Sequence, residues 1–499
     1  MKRSAGILLP ISALPSEYGI GCFDGNAYQF ADFLHDAGQT HWQILPLSPT
    51  GFGDSPYQSY SVFAGNPYFI SLAALTARGL LTEEECKACD FGDDPQKIDY
   101  EKLSRSRIPL LCKAFERSRI GEDGDFREFC NSQPWLPDYA LFMALKSHFG
   151  GRAWNEWDED IRLREPQAMA KYRQKLAGDI LFHEFLQYCF HIQWKKLKAY
   201  ANALDIRIIG DIPIYTAFDS ADVWAQPQLF QLNSDGSPIS VAGCPPDGFA
   251  PQGQLWGNPL YDWKFHESTG FSWWIARLAH CFSLYDTVRI DHFRGFDEYY
   301  AIPFGDTTAE NGSWQKGPGA ALFHAAEKAL GRRDVIAEDL GFVTDSVRAL
   351  VQECGFPNMK VLQFGFDSRD AGSSEHLPHR YHENCTAYSG THDNQTLAAW
   401  ISEISKTEHR FLREYLCDSR TPDGELYLPL LALLLRSPAR CCIIPMQDWL
   451  GLGSEARMNT PSTVGENWKW RMRSEDMSIA LCSRIRRMTE LYERTNEGR

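Results

Sequence analysis

Short runs of β-branched and apolar residues recur along the chain, and most of them end in polar or charged residues. Runs of this length and composition are typical of strands that are buried on both faces of a sheet. They predict eight buried strands, at residues 5–12, 41–49, 207–215, 287–296, 334–341, 360–366, 386–393 and 441–450.

Segments with a helical spacing of apolar residues separate several of these predicted strands. They cover residues 26–37, 178–204, 272–282, 319–330 and 344–354. Strands that alternate with helices indicate parallel βα units, and eight units favour an α/β fold of the closed (β/α)8 type, the TIM barrel. A doubly wound open sheet is the alternative that the same alternation allows.

The predicted strands are unevenly spaced, which indicates insertions into the barrel. Residues 75–175 hold charge-rich helical stretches with several tryptophans, and we interpret them as an inserted, mainly helical subdomain after the second strand. Residues 1–74 and 176–499 then form the barrel itself. A second excursion, at about residues 216–263, is rich in Pro, Gly, Gln and Asp and predicts a lid-like loop. Both insertions follow a strand, so we expect both on the C-terminal face of the barrel.

Composition and charge restrict the classes of partner that the protein can bind and indicate its cellular compartment. The formal net charge of −15 disfavours a nucleic-acid partner, because phosphate backbones are bound by basic surfaces. No apolar run is long enough to predict a membrane span, and the first ten residues favour a buried strand over a signal peptide. Fourteen scattered cysteines indicate free thiols and a cytoplasmic protein. The Cys86–Cys89 pair lacks the second pair of ligands that a zinc site needs.

Three predicted strands end in carboxylates, at Asp291, Glu338 and Asp393. The carboxyl ends of parallel barrel strands converge, and side chains two residues apart share a strand face, so Arg289 and Asp291 should both point inward. An inward arginine is expected to keep Asp291 ionised. Glycoside cleavage needs two carboxyl groups in opposite protonation states, with Asp291 as nucleophile and Glu338 as acid. Structural ion pairs at the barrel rim are the alternative interpretation.

Two features leave room for other assignments at these strand ends. Asp339 is a rival to Glu338, because strand periodicity alone does not choose between neighbours. His292 and His392 each adjoin a candidate carboxylate, which favours a role in the site over an ordinary core position. The chain has no metal-ligand motif such as HExxH, no nucleophile elbow and no phosphate-binding glycine loop, so we expect neither a metal nor a cofactor.

Several longer motifs are spread over nearly the whole chain. They cover residues 51–59, 63–68, 209–213, 245–249, 253–259, 289–295, 337–341, 359–364 and 391–394. In these motifs the chain resembles bacterial amylomaltases, the 4-α-glucanotransferase or disproportionating enzyme family of the α-amylase clan. The Pro-Pro-Asp and Gly-Gln-Leu-Trp-Gly-Asn-Pro stretches resemble that family specifically, whereas Arg-x-Asp and Thr-His-Asp are shared more widely in the clan.

The resemblance implies a retaining transferase that moves α-1,4-glucan segments between maltooligosaccharides. It implies Asp291 as nucleophile, Glu338 as acid/base and Asp393 as stabiliser of the transition state. The sugar-binding positions that it implies are Tyr57, Asp211, Gln254, Trp256, Arg289 and His392, with Ser55 and Asn467 as further candidates. His292 is a substrate-binding candidate because it adjoins Asp291. Residues 367–382 show little similarity to the family's usual sequence. A hydrolase of the same clan and a non-catalytic glucan-binding protein are the alternatives, and the latter predicts the loss of a carboxylate or of Arg289.

Overall fold

The computed structural model describes residues 3–246, 251–341, 343–369 and 373–495, and its centre is a parallel barrel. The strands in these ranges are β1 Ser4–Leu8, β2 His41–Gln43, β3 Arg207–Pro213, β4 Ser240–Cys244, β5 Gln254–Pro259, β6 Thr287–Asp291, β7 Glu298–Pro303, β8 Ser313–Lys316, β9 Val335–Ala337, β10 Asn358–Val361, β11 Cys385–Tyr388 and β12 Cys441–Pro445. Eight of them close in the order β1-β12-β11-β10-β9-β6-β3-β2.

This closure confirms the (β/α)8 prediction and excludes the open doubly wound sheet. All eight predicted strands form, and each pairs in parallel with its barrel neighbours. The register between β3 and β6 sets Asp211 opposite Arg289 and Pro213 opposite Asp291. The polar residues of two neighbouring strands therefore lie side by side near the C-terminal end of the barrel.

The helices of the described residues mostly surround the barrel or fill its insertions. They are α1 Gly25–Asp36, α2 Leu72–Ala77, α3 Glu83–Lys87, α4 Tyr100–Ser118, α5 Gly124–Ser132, α6 Leu136–His148, α7 Glu159–Arg162, α8 Pro166–Lys175, α9 Ala177–Ala203, α10 Ala221–Ala225, α11 Trp263–Ser268, α12 Ser272–Leu284, α13 Ala320–Leu330, α14 Asp345–Cys354, α15 Leu397–Glu403, α16 Lys406–Leu416, α17 Tyr427–Arg436, α18 Met446–Leu450 and α19 Ile479–Leu491. The five predicted helices correspond to α1, α9, α12, α13 and α14. No helix in the described ranges combines the length and apolarity that a bilayer crossing needs.

Helices α3 to α8 fall within residues 75–175, the stretch interpreted as an inserted subdomain. Buried Lys146, on α6, donates a hydrogen bond to Asp219 in the segment after β3, and it also donates to the carbonyl of Gly151 at 3.1 Å. The main-chain N–H of Trp154 donates to the same aspartate at 3.3 Å. The insertion is thus tied to a loop at the C-terminal end of the barrel, while its status as a separate subdomain stays a prediction.

The segment 216–263 carries more regular structure than the lid-like loop that the sequence predicted. It contributes β4 and β5 to an antiparallel sheet of order β5-β4-β7-β8, whose other two strands follow β6. Val241 on β4 pairs with Ile302 on β7, and both are buried. Because these strands come from two separate excursions, their pairing depends on contacts between distant parts of the sequence, which a local apolar pattern does not encode.

Several barrel strands end earlier than predicted, and β6 shows the reason. The strand stops at Asp291, and His292 takes a left-handed conformation with φ of 52° before a short 3-10 turn at Phe293–Phe296. A left-handed residue turns the chain sharply, so the strand cannot continue. The apolar residues that extended the predicted strand to 296 are buried in this turn, where they pack under the loop instead of in the sheet.

Candidate active site

The three carboxylates predicted from the strand ends all lie at the C-terminal end of the barrel. Asp291 is the last residue of β6, Glu338 directly follows β9, and Asp393 lies in the loop after β11. Strands β6 and β9 are neighbours in the barrel, and β10 separates β9 from β11. The fold therefore brings these groups to one face, as the sequence predicted.

Arg289 connects two of the acidic residues inside the barrel. Its Nη2 donates to Asp291 Oδ1 at 2.9 Å, and its Nη1 donates to both carboxylate oxygens of Asp211, at 2.8 and 2.6 Å. The guanidinium is 3% exposed, so a hydrogen-bonded carboxylate is its proper partner. Tyr57 completes the chain by donating its hydroxyl to Asp211 Oδ2 at 2.8 Å. This network fixes the orientation of Asp291.

Two opposing effects set the pKa of Asp291. Burial raises it to about 6, and the Arg289 cation opposes this rise without cancelling it. The arginine therefore acts in the direction that the sequence predicted, while desolvation of the carboxylate has the larger effect on its pKa. Asp291 is still ionised at neutral pH.

Glu338 has the opposite protonation preference. Burial and the negative charge of Asp291 raise the pKa of Glu338 to about 8. Its Oε2 accepts a hydrogen bond from the main-chain N–H of His292 at 2.6 Å, and its Oε1 accepts one from Leu340 at 2.8 Å. Between about pH 6 and 8 the pair therefore holds one proton, on Glu338. An ionised aspartate beside a protonated glutamic acid is the combination that retaining glycoside chemistry uses.

Asp339, the rival of Glu338, has a different task. Its Oδ1 accepts a hydrogen bond from the main-chain N–H of Met359 on β10, at 3.0 Å, and Lys360 lies close enough to stabilise its charge. The carboxylate thus links the end of β9 to the next strand. Glu338, in contrast, interacts with Asp291 and Arg289, so the geometry favours Glu338 as the reactive member of the pair.

Asp393 is held by residues that the sequence analysis did not identify. Asn459 Nδ2 donates to Asp393 Oδ1 at 2.6 Å, and Arg457 Nη2 donates to the main-chain carbonyl of Asp393 at 2.8 Å. The Nε2 of His392 lies 3.4 Å from Asp393 Oδ2. Asn459 holds one oxygen of the carboxylate, and the side chain is still 43% exposed, so Asp393 faces the open part of the site.

Three aromatic rings form a wall beside these carboxylates. The rings of Tyr57 and His392 stack with centroids 5.2 Å apart and planes 15° apart, and Trp468 lies 5.9 Å from each of them. Stacked rings form a flat, largely apolar surface, and their side chains have few freely rotating bonds. Tyr57 and His392 were both predicted as site residues, whereas Trp468 was not.

On the side of the antiparallel sheet, Trp256 stands over His292. The two rings meet edge to face at 4.8 Å, and Trp256 Nε1 donates to Gln254 Oε1 at 3.1 Å. Both Trp256 and Gln254 lie on β5, so they are carried by a strand and not by the loop that the sequence predicted. Burial lowers the pKa of His292 to about 3, which leaves its ring neutral.

The two less certain sugar-binding candidates take structural roles in loops. Ser55 Oγ accepts a hydrogen bond from the main-chain N–H of Tyr57 at 3.2 Å. The amide of Asn467 is engaged on both sides, with Oδ1 accepting from Thr460 N at 3.0 Å and Nδ2 donating to Thr463 O at 2.9 Å. Residues 247–250 and 370–372, within the 245–249 motif and the divergent 367–382 segment, lie outside the described residues.

The described residues hold no group of three or more His, Cys, Asp or Glu side chains arranged to bind a metal ion. Cys86 and Cys89, the pair with zinc-like spacing, are separate thiols at α3.

Comparison with known proteins assigns the family. The sequence model described as 4-alpha-glucanotransferase matches residues 9–477. The chain belongs to the 4-alpha-glucanotransferase family. A member from Streptococcus pneumoniae serotype 4 is 46% identical over 501 residues, which cover 100% of this chain and 98% of that protein. A member from Clostridium butyricum is 45% identical over 487 residues, which cover 97% of this chain and 99% of that protein.

A solved structure supports the same assignment within the 4-alpha-glucanotransferase family. The amylomaltase from Streptococcus agalactiae, solved in complex with acarbose, superimposes with a TM-score of 0.95 and 42% sequence identity. The match covers 99% of this chain and 100% of that chain. The resemblance inferred from the motifs is thereby confirmed, together with the barrel fold.

The residues that sequence reasoning missed in this family member share one property. Arg457, Asn459 and Trp468 belong to an irregular segment between α18 and α19 that has no helical or strand periodicity. The sequences Met-Asn-Thr-Pro and Trp-Lys-Trp-Arg in that segment were the signal that could have identified these residues. Polar and aromatic residues of this kind in a long connection are typical of a functional loop.

Proposed function

We propose that this 4-alpha-glucanotransferase moves segments of α-1,4-glucan from a donor chain to the 4-hydroxyl of an acceptor glucan, through a covalent intermediate on Asp291. The observation that supports the proposal most strongly is the placement of Asp291 and Glu338 at the ends of neighbouring barrel strands, where burial and the Asp291 charge raise the pKa of Glu338 above that of Asp291. A retaining glycosyl transfer requires an ionised nucleophile and a protonated acid at the start of the reaction.

In the first step the Asp291 carboxylate attacks the anomeric carbon of the donor, and the Glu338 carboxyl group gives its proton to the departing glycosidic oxygen. A glycosyl ester forms on Asp291, and the leaving glucan departs with a new 4-hydroxyl. Arg289 holds the attacking carboxylate in place through the 2.9 Å hydrogen bond to Oδ1. Asp393 stabilises the positive charge that develops on the sugar ring.

In the second step an acceptor glucan takes the place of the leaving group. Glu338, now ionised, accepts the proton of the acceptor's 4-hydroxyl, and the oxygen attacks the anomeric carbon and releases Asp291. Two displacements give net retention of configuration. Glu338 regains its proton, so the enzyme returns to its starting state and no metal or cofactor takes part.

The sugar at the reacting position is proposed to lie between the aromatic wall of Tyr57 and His392 and the polar network of Asp211 and Arg289. Trp256 and Gln254, together with His292, are proposed to contact the acceptor side, because Trp256 packs on the ring of His292, whose main-chain N–H donates to Glu338. Ser55 and Asn467 are also proposed to bind sugar, from the loops that they brace.

Maltotriose alone tests the proposal, with the products resolved by size. A glucanotransferase converts it into glucose and a ladder of longer maltooligosaccharides, while the total number of glycosidic bonds stays constant. Net growth of reducing ends without a ladder would instead establish a hydrolase, and unchanged maltotriose would establish a binding protein. Counting reducing ends beside the product sizes separates these three results in a single incubation.

We also propose a cytoplasmic location, where maltooligosaccharides serve as donor and acceptor. Buried thiols such as Cys22, Cys189 and Cys281 support it, because reduced cysteines persist in a reducing compartment. Fractionation of the native cells tests this: activity in the cytoplasmic fraction is expected, and activity released with the cell envelope would contradict it.

A further inference from the structure

A buried aspartate just after the last barrel strand accepts hydrogen bonds from the loop that carries Asp393. Asp448 lies on α18, directly after β12, and is 1% exposed. Its Oδ2 accepts a hydrogen bond from the Ser389 hydroxyl at 2.6 Å, and its Oδ1 accepts one from the main-chain N–H of Leu397 at 2.7 Å. One carboxylate thus uses both oxygens on two donors that are eight residues apart in the sequence.

Those two donors mark the two ends of the 389–397 loop, and His392 and Asp393 lie between them. The interior of the loop is fixed by its own contacts, since Asn394 Oδ1 accepts from the N–H and the hydroxyl of Thr391 at 2.8 and 2.9 Å. A third support comes from the turn that follows the neighbouring strand β10, where buried Gln363 donates to the carbonyl of Gln395 at 2.8 Å.

The loop is therefore attached to the barrel by polar contacts at both of its ends and at Gln395. A side chain added at Gly390 would come within 2.8 Å of Gln363 Nε2, so the loop already lies as close to its supports as a glycine allows. Asp448 binds both ends of the loop and is itself buried.

We propose that Asp448 is a positioning residue for glucan transfer, which clamps the 389–397 loop and so sets Asp393 and His392 against the reacting sugar. The proposal rests on the proposed function of Asp393. A shift of about 1 Å in such a group lowers the rate of the chemical step by up to about a hundredfold while substrate binding is largely retained. The effect of losing the clamp is expected in kcat and not in KM.

The test compares three variants of the full chain by steady-state transfer from maltotriose at 25 °C. Asp448→Ala removes both acceptors, and its kcat is expected to fall by about 10- to 100-fold with KM changed by less than about threefold. Ser389→Ala removes one donor and is expected to lose about 3- to 10-fold in kcat. Asp448→Asn is expected to keep most of the activity, because its Oδ1 accepts from Leu397 and its amide donates to a turned Ser389 hydroxyl.

Asp286 offers a matched control at the other end of the barrel. Its carboxylate also binds a side chain and a main-chain N–H, accepting from Asn202 Nδ2 and from Ile208 N, both at 2.8 Å. Asp286→Ala is expected to lower the melting temperature and leave kcat at 25 °C unchanged. This separates a positioning effect from a general loss of stability.

Wild-type kcat in folded Asp448→Ala, or a loss of activity in Asp448→Asn as large as that in Asp448→Ala, would overturn the inference. If Asp448→Ala does not fold, Ser389→Ala decides, and an unchanged kcat in that variant would equally overturn it. Failure of the wild-type protein to build a maltooligosaccharide ladder would count against the proposed function instead, so the two failures are distinguishable.

Discussion

At the scale of single residues, the chemistry depends on how three carboxylates at one barrel end are kept different from one another. Asp291 is buried beside a guanidinium, Glu338 is buried beside a carboxylate, and Asp393 is partly exposed. The environment and not the residue type therefore decides which group attacks and which gives a proton.

Asp291→Asn is expected to lower kcat for transfer by at least about 10⁴-fold, because an amide cannot form the glycosyl ester. The affinity for maltooligosaccharides should change little, since the substitution is nearly isosteric. Titration calorimetry and product analysis measure the two effects. Asp339→Asn is the matched control, as it alters a neighbouring buried acid that contacts β10, and its kcat should stay close to that of the wild type. Residual activity of a tenth in Asp291→Asn would exclude it as the nucleophile.

The pH dependence of kcat/KM should be bell-shaped, with limbs near pH 6 and pH 8. Below about 6 Asp291 binds a proton and loses its nucleophilic charge, and above about 8 Glu338 loses the proton that it must donate. Initial rates of glucose release from maltotriose across pH 4.5–9.5 would show both limbs. A rate that continues to rise beyond pH 9 would mean that Glu338 is not the acid.

Much of the candidate site could be predicted from the sequence at this scale, but not all of it. Asp291 and Glu338 end apolar strands, so their placement at one barrel face follows from the pattern alone. The choice between Glu338 and Asp339 depends on how the chain bends after β9, which periodicity does not define. Asn459 acts from an irregular connection, so nothing in the local pattern points to its contact with Asp393.

At the scale of elements, the antiparallel sheet carries Trp256, which packs against His292 next to the proposed acid Glu338. Trp256→Ala should raise the ratio of hydrolysis to transfer by about threefold or more, because the ring offers the acceptor sugar a stacking surface worth about 0.5–1.5 kcal/mol. Leu255→Ala is the matched control. Leu255 directly precedes Trp256 on β5 and is 40% exposed, so its replacement should leave the ratio of hydrolysis to transfer unchanged. Reducing-end and ladder assays give the ratio. Equal ratios in the two variants would contradict the acceptor role.

The strands of this sheet also show where sequence prediction of the fold stops. The barrel strands were found because each one lies in a short run rich in β-branched and apolar residues, most of which are buried. In β5 the first four residues alternate between half-buried and exposed, and its partner β4 is separated from it by residues 245–253, which are rich in Pro and Gly. A mixed polar segment of this kind resembles a loop until the contacts of β7 and β8 are known.

At the scale of the whole molecule, the residues after α19 help to close the barrel. Arg494 is fully buried and donates to the carbonyls of Leu435, Ser4 and Ser437 at 2.6, 3.0 and 2.9 Å. Arg494→Ala is expected to lower the free energy of unfolding by about 2–4 kcal/mol, because several carbonyls lose a charged donor.

Thermal unfolding and kcat at 25 °C check this expectation together. The melting temperature of Arg494→Ala should fall, and kcat should not change, since the contacts lie at the end of the barrel opposite the carboxylates. Arg484→Ala, at an exposed position of α19, serves as the control and should leave both quantities unaltered. A wild-type melting temperature in Arg494→Ala would show that the buried arginine contributes nothing to closure.

The pairing of β1 with β12 also has a consequence for biosynthesis. Ser4 pairs with Cys441, so β1 leaves the ribosome before a partner that is translated roughly 440 residues later. At about 5–20 residues per second this delay is roughly 20–90 seconds. During that time β1, with Ile7 and Leu8, exposes an unpaired apolar edge that is open to aggregation. Slower growth at low temperature and binding by chaperones should therefore raise the yield of active protein.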